Sequence, residues 1–195
     1  MHVHTVNSGD SKIRIEDIHQ KINEGIVDCV VVTEHNLFEN EGRYPIFYGE
    51  EIKTTKGDII AMGISEQIQP YLSPEETLDL IHEQGGIGIA PHPFYPFLKK
   101  GLDELVKKLP IDAIEVFNSR NTKKADRKAL ELALARNLPA TAGSDAHRKS
   151  EIGNAYVIVD YNVQSIDDLI KLIKKGKTAP VIKKRSGIYS ISRFL

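Results

Sequence analysis

Histidine and carboxylate residues recur in this sequence at spacings that suit divalent cations. His2 and His4 stand two apart in a stretch, 2–6, that reads as a strand. On a strand both side chains leave the same face, roughly 6.6–6.8 Å apart along the backbone. They can reach one ion or two neighbouring ones. Asp145 and His147 repeat the spacing, and Asp10, in Ser8-Gly9-Asp10, sits in the first loop, where it can fold back over the same ground. Imidazole and carboxylate without thiolate suit zinc, manganese or iron. Five of the seven histidines (His2, His4, His35, His92 and His147), with Glu51 and Asp145, fall at or near the C-terminal ends of predicted strands. In parallel α/β barrels that rim carries the chemistry. A lone buried histidine is more often a hydrogen-bonded core residue than a ligand, but two imidazoles on one interior face make a costly core. His19 and His82 lie on predicted helices among charged neighbours and read as ordinary.

The elements that must position these residues alternate between strand and helix periodicity, the pattern of a parallel α/β arrangement. Ile15, Ile18 and Ile22 share a helix face that ends at Gly25, and residues 28–33, with Cys29-Val30-Val31-Val32 at their centre, read as a strand covered on both sides. Residues 47–54 and 59–64, joined by Thr55-Lys56-Gly57-Asp58, read as a hairpin. Ser73-Pro74-Glu75-Glu76 starts a helix that Gly85-Gly86 stops. Beyond it the pattern predicts a strand over 87–90, a helix over 102–109, a strand over 113–117 and a helix over 122–136. A strand over 140–142, a last strand over 155–160 and a last helix over 165–175 complete it.

With 195 residues, one domain spanning 1–195 is expected. Twenty-six basic and 27 acidic residues leave a net charge of −1, which is no footprint of nucleic-acid or membrane-surface binding. Cys29 is alone and reads as a small buried hydrophobe. No apolar run approaches the roughly 18 residues of a membrane span, and the expected location is the cytoplasm. Neither a dinucleotide glycine fingerprint nor a P-loop is present. The run Lys183-Lys184-Arg185 reads as a solvated tail.

Six segments, in order, resemble the motifs of the PHP (polymerase and histidinol phosphatase) superfamily, and in particular its small stand-alone metal-dependent phosphoesterases. They are His2-Val3-His4-Thr5, Thr33-Glu34-His35-Asn36, Gly49-Glu50-Glu51-Ile52, Ala90-Pro91-His92-Pro93, Glu115-Val116-Phe117-Asn118 and Gly143-Ser144-Asp145-Ala146-His147. The resemblance implies an α/β fold of the PHP type, a distorted (β/α)7 TIM-like barrel with two or three divalent ions at its C-terminal rim. Carried over, His2, His4, Glu51 and Asp145 would surround one ion and Asp10, His35 and His147 a second. Glu51 and His92 would serve a third, with Glu51 bridging.

The expected activity is hydrolysis of a phosphate ester of a small molecule or nucleotide by metal-activated water, with Glu51, Asp145 and His147 as catalytic residues. Arg120, Arg148, Lys53 and Asn118, which lie in or follow strand-end motifs, are the candidates for holding substrate phosphate oxygens. No general acid stands out. The aromatic residues Phe38, Tyr44, Phe94, Tyr95 and Phe97 either stack a base or close the core, and packing is the expected role. The alternatives are a non-catalytic PHP scaffold or nucleic-acid-associated module, of the polymerase or RNase-complex kind, and metal-dependent amide hydrolysis on a similar barrel.

Overall fold

The computed structural model describes residues 1–40, 42–96 and 100–186. Its strands are β1 (Val30–His35), β2 (Gly42–Arg43), β3 (Ile46–Thr54), β4 (Gly57–Met62), β5 (Ile87–Ala90), β6 (Ala113–Asn118), β7 (Ala140–Gly143), β8 (Ala155–Ile158) and β9 (Ala179–Ile182). Its helices are α1 (Ile15–Asn23), α2 (Pro74–Glu83), α3 (Lys123–Arg136) and α4 (Ile166–Lys174).

Local chemistry explains where the helices begin. Ser73 Oγ accepts from Glu76 N while Glu76 Oε2 accepts from Ser73 N, with Pro74 in the first turn, so two otherwise orphaned amides are satisfied at once. Ser165 and Asp168 do the same for α4, and the Thr122 hydroxyl caps α3.

One sheet runs in the order β1, β3, β4, β5, β6, β7, with β2 added on β3. The pairs β1/β3, β5/β6 and β6/β7 are parallel, whereas β4 is antiparallel to both neighbours. Strict β/α alternation therefore fails around β4, where the hairpin expected from the Thr55–Asp58 turn inserts a strand running the other way. The fold is a mixed α/β one with a curled sheet. Val3 bridges its two outer parts: Thr33 N donates to Val3 O at 2.8 Å, and His4 N donates to Ala146 O at 3.0 Å.

Alternation along the strands sorts the interior of the curl. Val31, Phe47, Ile60, Met62, Ile87, Ile89 and Ala113 form a cluster closed by Ile166, Leu169, Ile170 and Ile173 of α4. Burying each such side chain contributes about 1.5–3 kcal/mol. Two residues on from Val31 and Phe47 the inward positions lose their large apolar side chains, to Thr33 and Gly49, and at four they become ionisable, His35 on β1 and Glu51 on β3. Apolar at the start and ionisable at the end, the same strands build both the core and the rim. A second cluster, with Leu78 and Ile81 of α2 and Ala129, Leu132 and Ala133 of α3, covers the outer face.

Several expectations are corrected. Residues 2–6 form only the bridge at Val3, followed by a 3-10 turn at Val6–Ser8, because the chain breaks into a left-handed conformation at His2 (φ 60°). The helix expected over 102–109 is a 3-10 segment, Asp103–Lys107. β8 is not the last strand, since it pairs antiparallel with β9 outside the main sheet. Cys29 is half-buried and precedes β1. Arg185 is no solvated tail: Nη2 lies 2.7 Å from Asp126 Oδ2 and Nη1 donates to Asn121 O at 2.7 Å. Among the described residues no helix is long and apolar enough to cross a membrane.

Candidate metal centre

Parallel register places His35, the last residue of β1, beside Glu51 of β3, and their side chains meet at 2.8 Å, Nδ1 to Oε2. His2 and His4 come from the segment wedged between β1 and Ala146. His2 Nε2 lies 3.3 Å from Glu51 Oε1 and 3.8 Å from Asp145 Oδ1, and His4 Nε2 lies 3.4 Å from Glu51 Oε2 and 3.5 Å from Asp145 Oδ1. His92, just past β5, reaches Glu51 Oε1 at 2.9 Å. Asp10, on the more exposed side, is 3.5 Å from His35 Nε2 and 3.3 Å from His147 Nε2. All eight sequence-derived ligand candidates thus stand at one place.

Three overlapping sets hold potential ligand atoms within 4.8 Å of one another: His2, His4 and Asp145; His4, His35 and His147; and His2, Glu51 and His92. The Nε2 atoms of His2, His4 and His35 are buried without a hydrogen-bond partner. Unpaired buried nitrogens are costly, and these face carboxylate oxygens at distances too long for good hydrogen bonds but suited to a shared cation. The donor set fits divalent metal ions.

The electrostatics follow from crowding imidazoles and carboxylates away from water. Burial disfavours the charged form of His35, but Glu51 and Asp10 outweigh it and hold its pKa up at about 10. His2 and His92 are also raised against burial, His2 mainly by Glu115 and Glu51 and His92 by Glu51. For His4 burial wins, aided by His35 and His147, and its pKa falls to about 3. Glu51 and Asp145 are held well below the carboxylate range despite burial, chiefly by the charge of His2.

Backbone strain concentrates at the same place. Of the seven non-glycine residues with positive φ among those described, His2 (60°), Asn36 (51°), His92 (30°) and Asp145 (48°) are at or next to the centre. Such conformations cost of order 1–3 kcal/mol each and persist only where the surroundings over-determine them.

The expected phosphate-binding residues are placed differently from one another. Arg120 Nε donates to Asp145 O and its Nη2 lies 2.9 Å from Glu151 Oε2, which also accepts from His147 N at 2.8 Å. It clamps the loop carrying Asp145 and His147. Asn118 Nδ2 donates to Glu115 Oε2 at 2.8 Å and to Asp145 Oδ2 at 3.4 Å. Lys53 and Arg148 are exposed, Lys53 lying 5.6 Å over the Tyr71 ring. Of the aromatic residues, Phe94 is buried and Phe38 packs on the core. Tyr44 is exposed, Tyr95 lies 5.9 Å from the His92 ring, and Phe97 is outside the described residues. His19 is exposed, and His82 pairs with Asp112 at 2.8 Å, both away from the centre.

Four charged neighbours were not among the candidate site residues, although Glu34 and Glu115 stand in the motif segments. Glu115 is buried against His2. Glu34, buried on the outer face of β1, accepts from Thr5 N at 3.0 Å and from the Thr5 and Ser8 hydroxyls, so it organises the first loop, and Ser8 Oγ in turn accepts from His35 N. Asp58 shares the inward face of β4 with Ile60 and Met62, and burial with Glu51 pushes its carboxyl up to about 6. Lys100, half-buried, is kept charged against burial by Glu51, Asp145 and Asp58. The signals in the sequence were the motif positions of Glu34 and Glu115 and the inward parity of Asp58.

Comparison with known proteins bears on the family and the fold. The PHP-associated family model PHP_C matches residues 123–178. Uncharacterized protein MJ1587 of Methanocaldococcus jannaschii is 36% identical over 138 residues, which cover 61% of this chain and 80% of that protein. A two-domain protein from Bacteroides vulgatus, described as containing a predicted PHP-like metal-dependent phosphoesterase, superposes with a TM-score of 0.69 at 17% identity, covering 93% of this chain and 63% of the other. The lesion-specific endonuclease PfuEndoQ of Pyrococcus furiosus superposes with a TM-score of 0.61 at 15% identity, over 92% of this chain and 56% of that one. With the PHP_C match and the fold shared with a PHP-like structure in agreement, the chain belongs to the PHP superfamily.

Proposed function

We propose that this chain is a metal-dependent phosphoesterase that hydrolyses a phosphate ester of a small molecule or nucleotide, and we read its curled sheet as a distorted (β/α)7 barrel in one domain spanning 1–195. The observation that carries the proposal is the set of buried, unpartnered Nε2 atoms of His2, His4 and His35 converging on Glu51, Asp145 and Asp10. His2, His4, Glu51 and Asp145 would hold one divalent ion and Asp10, His35 and His147 a second. His2, Glu51 and His92 offer a third position, which makes two or three zinc, manganese or iron ions. Bound cations of this kind lower the pKa of a water, orient the phosphoryl group and neutralise charge on the attacking and leaving oxygens.

The chain's own residues divide the remaining work. Glu51 faces His2 and His92 with Oε1 and His4 and His35 with Oε2, the disposition of a bridging carboxylate. Asp145 and His147 are the other catalytic candidates, fixed by the Arg120 and Glu151 clamp. Lys100, Lys53 and Arg148 are the proposed cations for substrate oxygens, and Asn118 orients Asp145.

The test is to load the purified protein with Mn²⁺ or Zn²⁺, count ions per chain, and follow phosphate release from nucleotides and other phosphomonoesters. No turnover by the metal-loaded protein would end the proposal. The likeness to a lesion-specific endonuclease adds a second substrate class, a DNA phosphodiester, assayed in parallel with damaged and intact oligonucleotides. A non-catalytic scaffold reading is favoured by tight nucleic-acid or polymerase association at low metal content.

A further inference from the structure

Glu115 lies on β6 with both carboxylate oxygens committed. His2 Nδ1 donates to Oε1 at 2.9 Å, while His92 N and Asn118 Nδ2 donate to Oε2 at 2.9 and 2.8 Å. The residue is buried. Room for it exists only because residue 143 is glycine: a Cβ there would stand 2.0 Å from Glu115 Oε1 and 2.5 Å from His2 Cβ. Two of its three donors belong to His2 and His92, both held in left-handed backbone conformations.

We propose that Glu115 is a positioning residue that holds His2 and His92 in their strained conformations before any metal arrives and fixes Nδ1 as the nitrogen of His2 that keeps its proton when one binds. This rests on the reading of the centre as a metal site. When His2 gives up one proton to a cation, Glu115 keeps the other on Nδ1, so that the Nε2 lone pair is the one presented to Glu51 and Asp145, where the structure leaves that atom without a hydrogen-bond partner. A carboxylate behind a ligating imidazole fixes ring orientation and raises ligand basicity. Glu115 belongs to none of the three ligand sets, so it acts through the histidines. His4, His35 and His147 do not touch it, and their set of ligand atoms is independent of it.

Glu115→Gln is the discriminating change. The amide oxygen can still accept from His92 N and Asn118 Nδ2, but the amide NH2 then faces His2 Nδ1. His2 must turn to the other tautomer, with N–H on Nε2 aimed where a lone pair is needed. Titration with Zn²⁺ is expected to show affinity about 10–100-fold weaker at the positions that use His2, with binding by His4, His35 and His147 kept. Nitrogen NMR of the imidazoles is expected to move the His2 proton from Nδ1 to Nε2. A variant with unchanged ion count, affinity and His2 signal overturns the proposal. If the variant fails to fold, the Zn²⁺-loaded parent protein decides: a His2 ring protonated on Nδ1 supports it, and one protonated on Nε2 overturns it. A parent chain that binds no zinc overturns the metal-site reading and this proposal with it, whereas one that binds zinc without hydrolysing any phosphoester overturns the proposed function alone.

Discussion

Glu51 is the carboxylate on which the other candidate ligands turn, since four histidines approach its two oxygens from opposite sides. Glu51→Gln is expected to lower both ion content and turnover by more than the roughly 10–100-fold that loss of an outer partner costs; metal analysis and steady-state kinetics check it. The metal-free protein should also carry a distinctive pH profile. Because His35 is raised to about 10 from an ordinary value near 6.5, its contribution is complete below about pH 6.5 and lost as pH rises through about 10. Because His4 is lowered to about 3, its unfolded form takes up protons first, and stability falls as pH drops from about 6.5 towards 3. Thermal unfolding of chelator-treated protein is expected to peak between these limbs, and saturating Zn²⁺ should flatten the alkaline one. At this scale the histidines were readable from their i, i+2 spacing and strand-end positions. Glu115 and Lys100 were not, because their roles depend on partners 113 and about 45–50 positions away.

At the scale of elements, the helix starts and the β3/β4 hairpin were written in short-range chemistry: Ser73-Pro74 with Glu76, Ser165 with Asp168, and a turn that the structure tightens from Thr55–Asp58 to Thr55-Lys56. Removing one cap, Ser165→Ala, is expected to cost about 1 kcal/mol, measurable as a lower urea midpoint at unchanged slope. β9 escaped notice because its four residues, Ala179–Ile182, include Pro180 and show no clear alternation; only pairing with β8 makes them a strand. The segment after β9 fastens the β8/β9 pair to the rim. Arg185 pairs with buried Asp126 of α3, whose carboxyl burial pushes up to about 6, and Ser186 N donates to Ser119 O at 2.8 Å. Arg185→Ala leaves that carboxylate unpaired and is expected to destabilise the protein by about 1–3 kcal/mol, read from denaturant unfolding.

For the whole molecule, a centre that gathers strained backbone and unpaired nitrogens should be stabilised by what it binds. Zn²⁺ at 100 times its dissociation constant would add about 2.7 kcal/mol, so chelation is expected to lower the unfolding temperature, and re-addition of Zn²⁺ to restore it. Mg²⁺ is expected to restore less, since imidazole ligands suit it poorly. The sequence by itself determined which residue types could serve a cation, that His35, His92 and Asp145 end or follow strands, and where the main helices and strands lie, because capping, periodicity and side-chain alternation act over a few neighbouring residues. Only the tertiary structure decided that Val3 bridges the outer parts of the sheet, that β4 runs against its neighbours, that Arg120 clamps a loop, and that Glu115 stands behind His2. Those facts depend on strand register and on contacts between segments far apart in the chain, which no local pattern encodes.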